Sequence, residues 1–106
     1  MQNDIKAIAD HYGYESQSRQ LIEEMAELTV AINKDWRVMR TIPKNHESEW
    51  QILCDIKENI AEEIADVEIM LEQMKYMLGN HEIVEDMKRH KVARQIKRMK
   101  GDNQNG

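Results

Sequence analysis

Two segments of this chain carry the same acidic figure. Glu23-Glu24-Met25-Ala26-Glu27 and Glu62-Glu63-Ile64-Ala65-Asp66 each set two carboxylates three residues apart, Glu24 with Glu27 and Glu63 with Asp66. On an α-helix, residues at that spacing share one face, a turn apart. Four carboxylates brought together repel one another unless a positive charge offsets them. A hard divalent cation is the natural partner: Mg²⁺ takes oxygen ligands and keeps several waters, and Mn²⁺ accepts the same oxygen donors. Phosphate oxygens can replace those waters. The pattern therefore points to phosphoryl chemistry, with a metal as electrophile and template. One Glu-x-x-Glu alone would be read as a solvated flank, since Glu is a good helix former. Two matched pairs, both beside apolar stripes, weaken that plain reading.

The elements that must position these groups are helices. Charged residues make up 33% of the 106-residue chain and aromatics 5%; Phe is absent, with four Gly and one Pro. Scarce breakers and abundant Glu, Lys, Met, Ala and Ile favour helix over strand. The pattern predicts four helices. Asn3 or Asp4 caps a short first one, ending at Tyr12-Gly13 with Gly13 as a left-handed terminator. Ser16 or Ser18 opens the second, which runs to about Arg40 with Leu21, Met25, Leu28, Ile32, Trp36 and Met39 at steps of three and four. The loop Thr41-Ile42-Pro43-Lys44-Asn45-His46 follows, because proline cannot continue a helix and disfavours it one residue earlier. Ser48 caps the third helix, with Leu53, Ile56, Ile60, Ile64, Val67, Leu71, Met74 and Leu78 on one side, up to Gly79-Asn80. The fourth covers about Glu82 to Lys100. The expected fold class is all-α: an antiparallel four-helix bundle-like domain over residues 1–100, with 101–106 as a disordered tail.

On the second helix Gln20, Glu24, Glu27 and Ala31 form one stripe, about a quarter-turn from Leu21, Met25, Leu28 and Ile32. On the third, Asn59, Glu63, Asp66 and Met70 stand in the same relation to Ile60, Ile64 and Val67. Packing the helices by their apolar stripes brings both acidic stripes to one edge of the seam.

Here a resemblance enters. Leu21-Ile22-Glu23-Glu24-Met25-Ala26-Glu27-Leu28, followed by Ala61-Glu62-Glu63-Ile64-Ala65-Asp66-Val67, resembles the Glu-x-x-Glu … Glu-x-x-Asp signature of the MazG-like all-α nucleotide pyrophosphohydrolases, whose relatives include dimeric dUTPases and phosphoribosyl-ATP pyrophosphohydrolases. Gln17 resembles a glutamine common in that family. The likeness covers roughly residues 11 to 98. It implies Glu24, Glu27, Glu63 and Asp66 as Mg²⁺ ligands. It also implies cleavage of a nucleoside triphosphate between the α and β phosphates, giving monophosphate and pyrophosphate. Glu24 or Glu27 would act as the base that activates water. The stretch from Leu28 to Glu62, holding Trp36, Pro43 and Trp50, is longer than the family usually shows, so the likeness does not extend to the shape of the base pocket.

The net charge of -5 hides an asymmetry. Residues 88–100 carry seven bases and no acid; outside them eight bases face twenty acids, a balance of -12. An acidic body without interleaved aromatics argues against nucleic-acid binding. On the last helix the stripe of Ile83, Val84 and Met87 becomes Lys91, Arg94 and Arg98 further on, while Val92, Ile96 and Met99 mark another face. A face passing from apolar to basic could put Lys91, Arg94 and Arg98 on substrate phosphates; the plainer reading is a solvated basic end that suits the helix dipole. Gln17, Gln20 and Asn59 beside the acidic stripes are substrate or supporting contacts, or ordinary surface. Trp36 reads as core or dimer interface, and Trp50 as either of those or a base platform. His11, His46, His81 and His90 share no spacing, and no Glu-x-x-His argues for a di-iron bundle. No Walker-type glycine loop is present.

Cys54 stands alone, so the chain forms no internal disulfide. The start lacks the pattern of a signal peptide, and no apolar run has bilayer length. A soluble, cytoplasmic protein with no membrane partner is expected. A chain this short, exposing Trp36, Val92, Ile96 and Met99, should form a homodimer or homotetramer that completes its core. The alternative function is a non-catalytic helical nucleotide-binding or assembly module.

Overall fold

A computed structural model describes residues 1–42 and 48–105. The expected centre of the interhelical loop, from Pro43 to His46, and the last tail residue, Gly106, lie outside the described residues. The all-α expectation holds: among the described residues there are three helices and no strand. They are α1 (Gln2–Thr41), α2 (Glu49–Leu78) and α3 (His81–Asn105). Within a single chain this is a long helical hairpin followed by a third helix, rather than four separate helices.

The difference in number comes from Gly13. Its φ of 84° is positive as expected, but its ψ of 169° is extended, not left-handed helical. This backbone region is open essentially to glycine alone. The chain kinks there and resumes the helix at once, so the first two expected helices join into α1. That helix begins at Gln2 with Met1 as N-cap, not at Asn3 or Asp4. It ends at Ile42 (φ -66°, ψ 127°), extended as a residue before proline prefers. Ser48 takes the N-cap position of α2, as its sequence suggests. Gly79 terminates α2 in the left-handed conformation (φ 63°, ψ 31°), where the Asn80 N–H donates to the Lys75 carbonyl at 3.2 Å. The last helix runs on through Gly101 to Asn105, past the end expected near Lys100.

The α1–α2 hairpin is antiparallel. The Tyr76 hydroxyl donates to Asp10 at 2.8 Å, Gln17 Nε2 donates to Gln73 Oε1 at 2.8 Å, and Glu24 meets Glu63 and Asp66, so ascending positions on α1 meet descending positions on α2. Leu21, Val67 and Met70 form the buried core, with Leu28 and Met74 against it. Ile5 and Ala9 are buried in the arm before the kink.

The seam is rolled relative to the apolar stripes. Leu21, Leu28, Val67 and Met74 lie at it as expected, but Met25, Ile32, Trp36, Ile64 and Leu71 are exposed. Met70, expected on the acidic stripe, is in the core. Apolar residues flank the seam on both sides, so a part-turn roll keeps half of them while Gln17, Glu24 and Asp35 replace the rest. The acidic stripe consequently enters the helix–helix interface.

Among the described residues α3 packs against α2 near its own start. Val84 and Glu85 are half-buried there; from Asp86 to Lys100 every residue is exposed. Lys75 of α2 lies 4.0 Å from Glu85 and 2.6 Å from Glu72. The hydrogen bond from Lys88, helped by the charges of Lys88, His81 and Lys75 and opposed by burial, holds the Glu85 carboxyl below its usual range. Among the described residues, no helix is long and apolar enough to cross a membrane.

Candidate functional site

The register of the hairpin decides which carboxylates meet. Glu24 sits one turn past Leu21 on α1, and Glu63 and Asp66 sit just before Val67 on α2, so the core that closes the seam also draws these three together. One carboxylate oxygen from each of Glu24, Glu63 and Asp66 lies within 4.8 Å of the others. Glu24 and Glu63 are half-buried and Asp66 is exposed. Glu24 Oε2 and Glu63 Oε2 are shut off from solvent and have no hydrogen-bond partner. Buried polar atoms are rarely left so, because the desolvation of each goes uncompensated. Two such oxygens in a group of like charges fit a cation bound by all three side chains.

Glu27 stands beside this triad. The charge of Glu24 above all, then burial, a side-chain hydrogen bond with Glu24 and the charges of Glu63 and Asp66, hold its carboxyl above its ordinary value of 4.5. The four expected residues thus converge, three within ligand distance of one another and Glu27 at their edge.

Next to them opens a cleft of about 550 Å³ between the helices. Glu27, Lys34 and Asp35 line it from α1, and Asn59, Glu62 and Glu63 from α2. Its far end lies about eight residues beyond Glu27, roughly 12 Å along the helix axis.

The structure separates the other sequence-derived candidates. Gln20 Nε2 donates to Glu24 Oε1 at 2.8 Å, fixing the side chain whose other oxygen is unpartnered. Asn59 faces the cleft. Gln17 does not: it is 7% exposed and bonded to Gln73, so its place is in the seam. Lys91, Arg94 and Arg98 are exposed on α3, beyond the start of that helix where it meets the hairpin, and none of them lines the cleft. The expected basic face therefore does not reach the carboxylates within one chain. The reason is topological: α3 leaves the hairpin at Gly79, the end of α2 away from the cleft. Trp36 and Trp50 are both exposed, and Arg40 lies over the Trp36 ring at 5.4 Å.

No protein-family model, curated protein or solved structure matches this chain. The likeness to the MazG-like enzymes therefore rests on the two acidic motifs and their neighbours.

Sequence reasoning missed two residues, Asp35 and Gln73, and the signal was present. The stripe Gln20, Glu24, Glu27, Ala31 continues one turn to Asp35, and the stripe Asn59, Glu63, Asp66, Met70 continues one turn to Gln73. Asp35 is 7% exposed, and its Oδ2 is buried without a partner. Gln73 is 1% exposed; its Oε1 accepts from Gln17 across the seam and its Nε2 donates to Met70 Sδ on its own helix.

Proposed function

We propose that this chain is a Mg²⁺-dependent nucleoside triphosphate pyrophosphohydrolase of the MazG-like type, cleaving between the α and β phosphates to release monophosphate and pyrophosphate. The observation that carries this reading is the meeting of Glu24, Glu63 and Asp66 from two helices, with two carboxylate oxygens buried and unpartnered. Glu24, Glu63 and Asp66 would hold the metal, with Glu27 as a further ligand or neighbour; Mn²⁺ suits the same donors. Bound there, the metal would offset phosphate charge and orient the triphosphate.

The chain's own groups have separable tasks. Gln20 keeps Glu24 in position through its 2.8 Å hydrogen bond. Glu27, outside the triad and open to the cleft, accepts a proton from the attacking water. As water adds to phosphorus, the bridging P–O bond breaks and its electrons leave with pyrophosphate. Glu24 stays the alternative base, less suited because one of its oxygens is held by Gln20. Asn59 lies where it can meet the substrate beside the metal.

The exposed stripe of Met25, Ile32, Trp36, Ile64 and Leu71 supports pairing of two hairpins into a four-helix bundle, as a homodimer or as half of a homotetramer. A second chain is also the route by which Lys91, Arg94 and Arg98 could reach substrate phosphates. The cytoplasm is the proposed compartment.

The deciding experiment is a screen of canonical and modified triphosphates for Mg²⁺-dependent release of pyrophosphate, measured separately from orthophosphate. Pyrophosphate from at least one nucleotide is expected; none from any, with either Mg²⁺ or Mn²⁺, would sink the proposal. The same exposed apolar stripe also favours a second reading, an assembly or nucleotide-binding module, which calorimetric binding without turnover would support.

A further inference from the structure

Asp35 is not explained by the metal site. Its carboxylate is nine-tenths buried, Oδ2 has no hydrogen-bond partner, and the side chain lines the cleft. A polar atom so placed carries a desolvation cost that a ligand can relieve. Neither an ion pair with Lys34 nor a shared cation accounts for it. Lys34 lines the same cleft, yet no ion pair joins it to Asp35. A shared cation would need further carboxylates close by, and among the described residues the one such group is Glu24, Glu63 and Asp66, without Asp35. A single acceptor oxygen without co-ligands is suited to a neutral donor, an N–H or O–H, rather than to a divalent ion.

Its position indicates which part of a ligand would supply that donor. Asp35 stands eleven residues beyond Glu24 and eight beyond Glu27, about 16 Å and 12 Å along α1. A triphosphate held at the carboxylates and lying along the cleft brings its nucleoside, not its phosphates, toward this end.

We infer that Asp35 Oδ2 is the specificity acceptor of the cleft, taking a hydrogen bond from a donor on the nucleoside, either an exocyclic amino group of the base or a sugar hydroxyl. This rests on the pyrophosphohydrolase reading and adds the group that selects among substrates. A site that hydrogen-bonds a donor rejects an analogue lacking it more strongly than an apolar pocket rejects a size change, because the buried acceptor is then left unpaired.

The test compares wild type with Asp35→Leu, which keeps the side-chain shape and removes the acceptor, on four substrates: cytidine and uridine triphosphates and their 2′-deoxy forms. The cytidine/uridine pair exchanges an amino group for an oxygen, and the ribo/deoxy pair removes one hydroxyl. The expected result is that one of these two kcat/KM ratios falls by on the order of 10-fold or more in the variant, mainly through KM. Collapse of the first ratio assigns the base amino group, and collapse of the second the sugar hydroxyl. Both ratios unchanged within about twofold would overturn the inference while leaving the proposed activity standing. So would weaker Mn²⁺ binding by the variant without nucleotide, since that would make Asp35 a metal ligand. A wild type that releases pyrophosphate from no triphosphate of the wider screen overturns both. Should the Leu variant lose helical circular dichroism, Asp35→Ala serves in its place.

Discussion

Gln17 and Asp35 lie on the same helix, on the same face, and are equally enclosed at 7% exposure. Gln17 spends its burial on a partner: its amide bonds to Gln73 across the seam at 2.8 Å, next to the Leu21, Val67 and Met70 core. Asp35 leaves Oδ2 unpaired at the edge of a cleft. Between them lie Glu24 and Glu63, each with one unpaired buried oxygen. Along one seam, polar satisfaction thus runs from complete at one end to absent at the other. The satisfied end holds the hairpin together; the unsatisfied end leaves an oxygen each of Glu24, Glu63 and Asp35 without a partner. Equal burial says nothing about which is which, whereas the fate of each polar atom does.

The largest effect should come from the unsatisfied end. Glu63→Gln is expected to cut pyrophosphate release by on the order of 100-fold or more while leaving helical circular dichroism intact. A variant with normal turnover would place the chemistry elsewhere. At the satisfied end the opposite is expected. Gln73→Ala removes one partner of a buried pair and should cost about 1–3 kcal/mol of stability, read as a lower Tm, with nucleotide selectivity unchanged. Gly13→Ala should cost a similar ~1–3 kcal/mol, because its backbone is strained for any other residue even though no atom lies within 4 Å of an added Cβ. No loss of Tm would mean that the kink relaxes into continuous helix.

The smallest predicted effect concerns charge. The Glu27 carboxyl is held above 4.5, so folding takes up its proton more readily than the unfolded chain does. The resulting stability is fully present below 4.5 and is lost as pH rises through the elevated value. Melts of metal-free protein should show this decline. Glu27→Gln should flatten it relative to wild type, and saturating Mg²⁺ should restore wild-type Tm at neutral pH. A melt insensitive to Mg²⁺ would count against the carboxylates as a cation site.

Much of this was legible in the chain. The helices could be read because their apolar spacing, Pro43 and Gly79 are local signals. The convergence of Glu24, Glu63 and Asp66 could be anticipated because one turn separates the members of each pair. The roll of the seam could not. Leu21 and Leu28 are compatible with either face, so periodicity alone left Met25 and Ile32 as expected core and Gln17 as an expected surface contact. Nor could the sequence place α3: the change from Met87 to Lys91 along one stripe is the same whether that helix packs beside the cleft or stands away from it.

By itself, then, the sequence determined that the chain is helical and that two turns of acid face in matching directions, since both follow from residue type and a fixed helical period. The tertiary structure decided which face was buried, how far Lys91, Arg94 and Arg98 stand from the carboxylates, and that Asp35 is enclosed without a partner. These depend on how one helix rolls against another, and that roll is set by the sum of many weak contacts rather than by any local pattern.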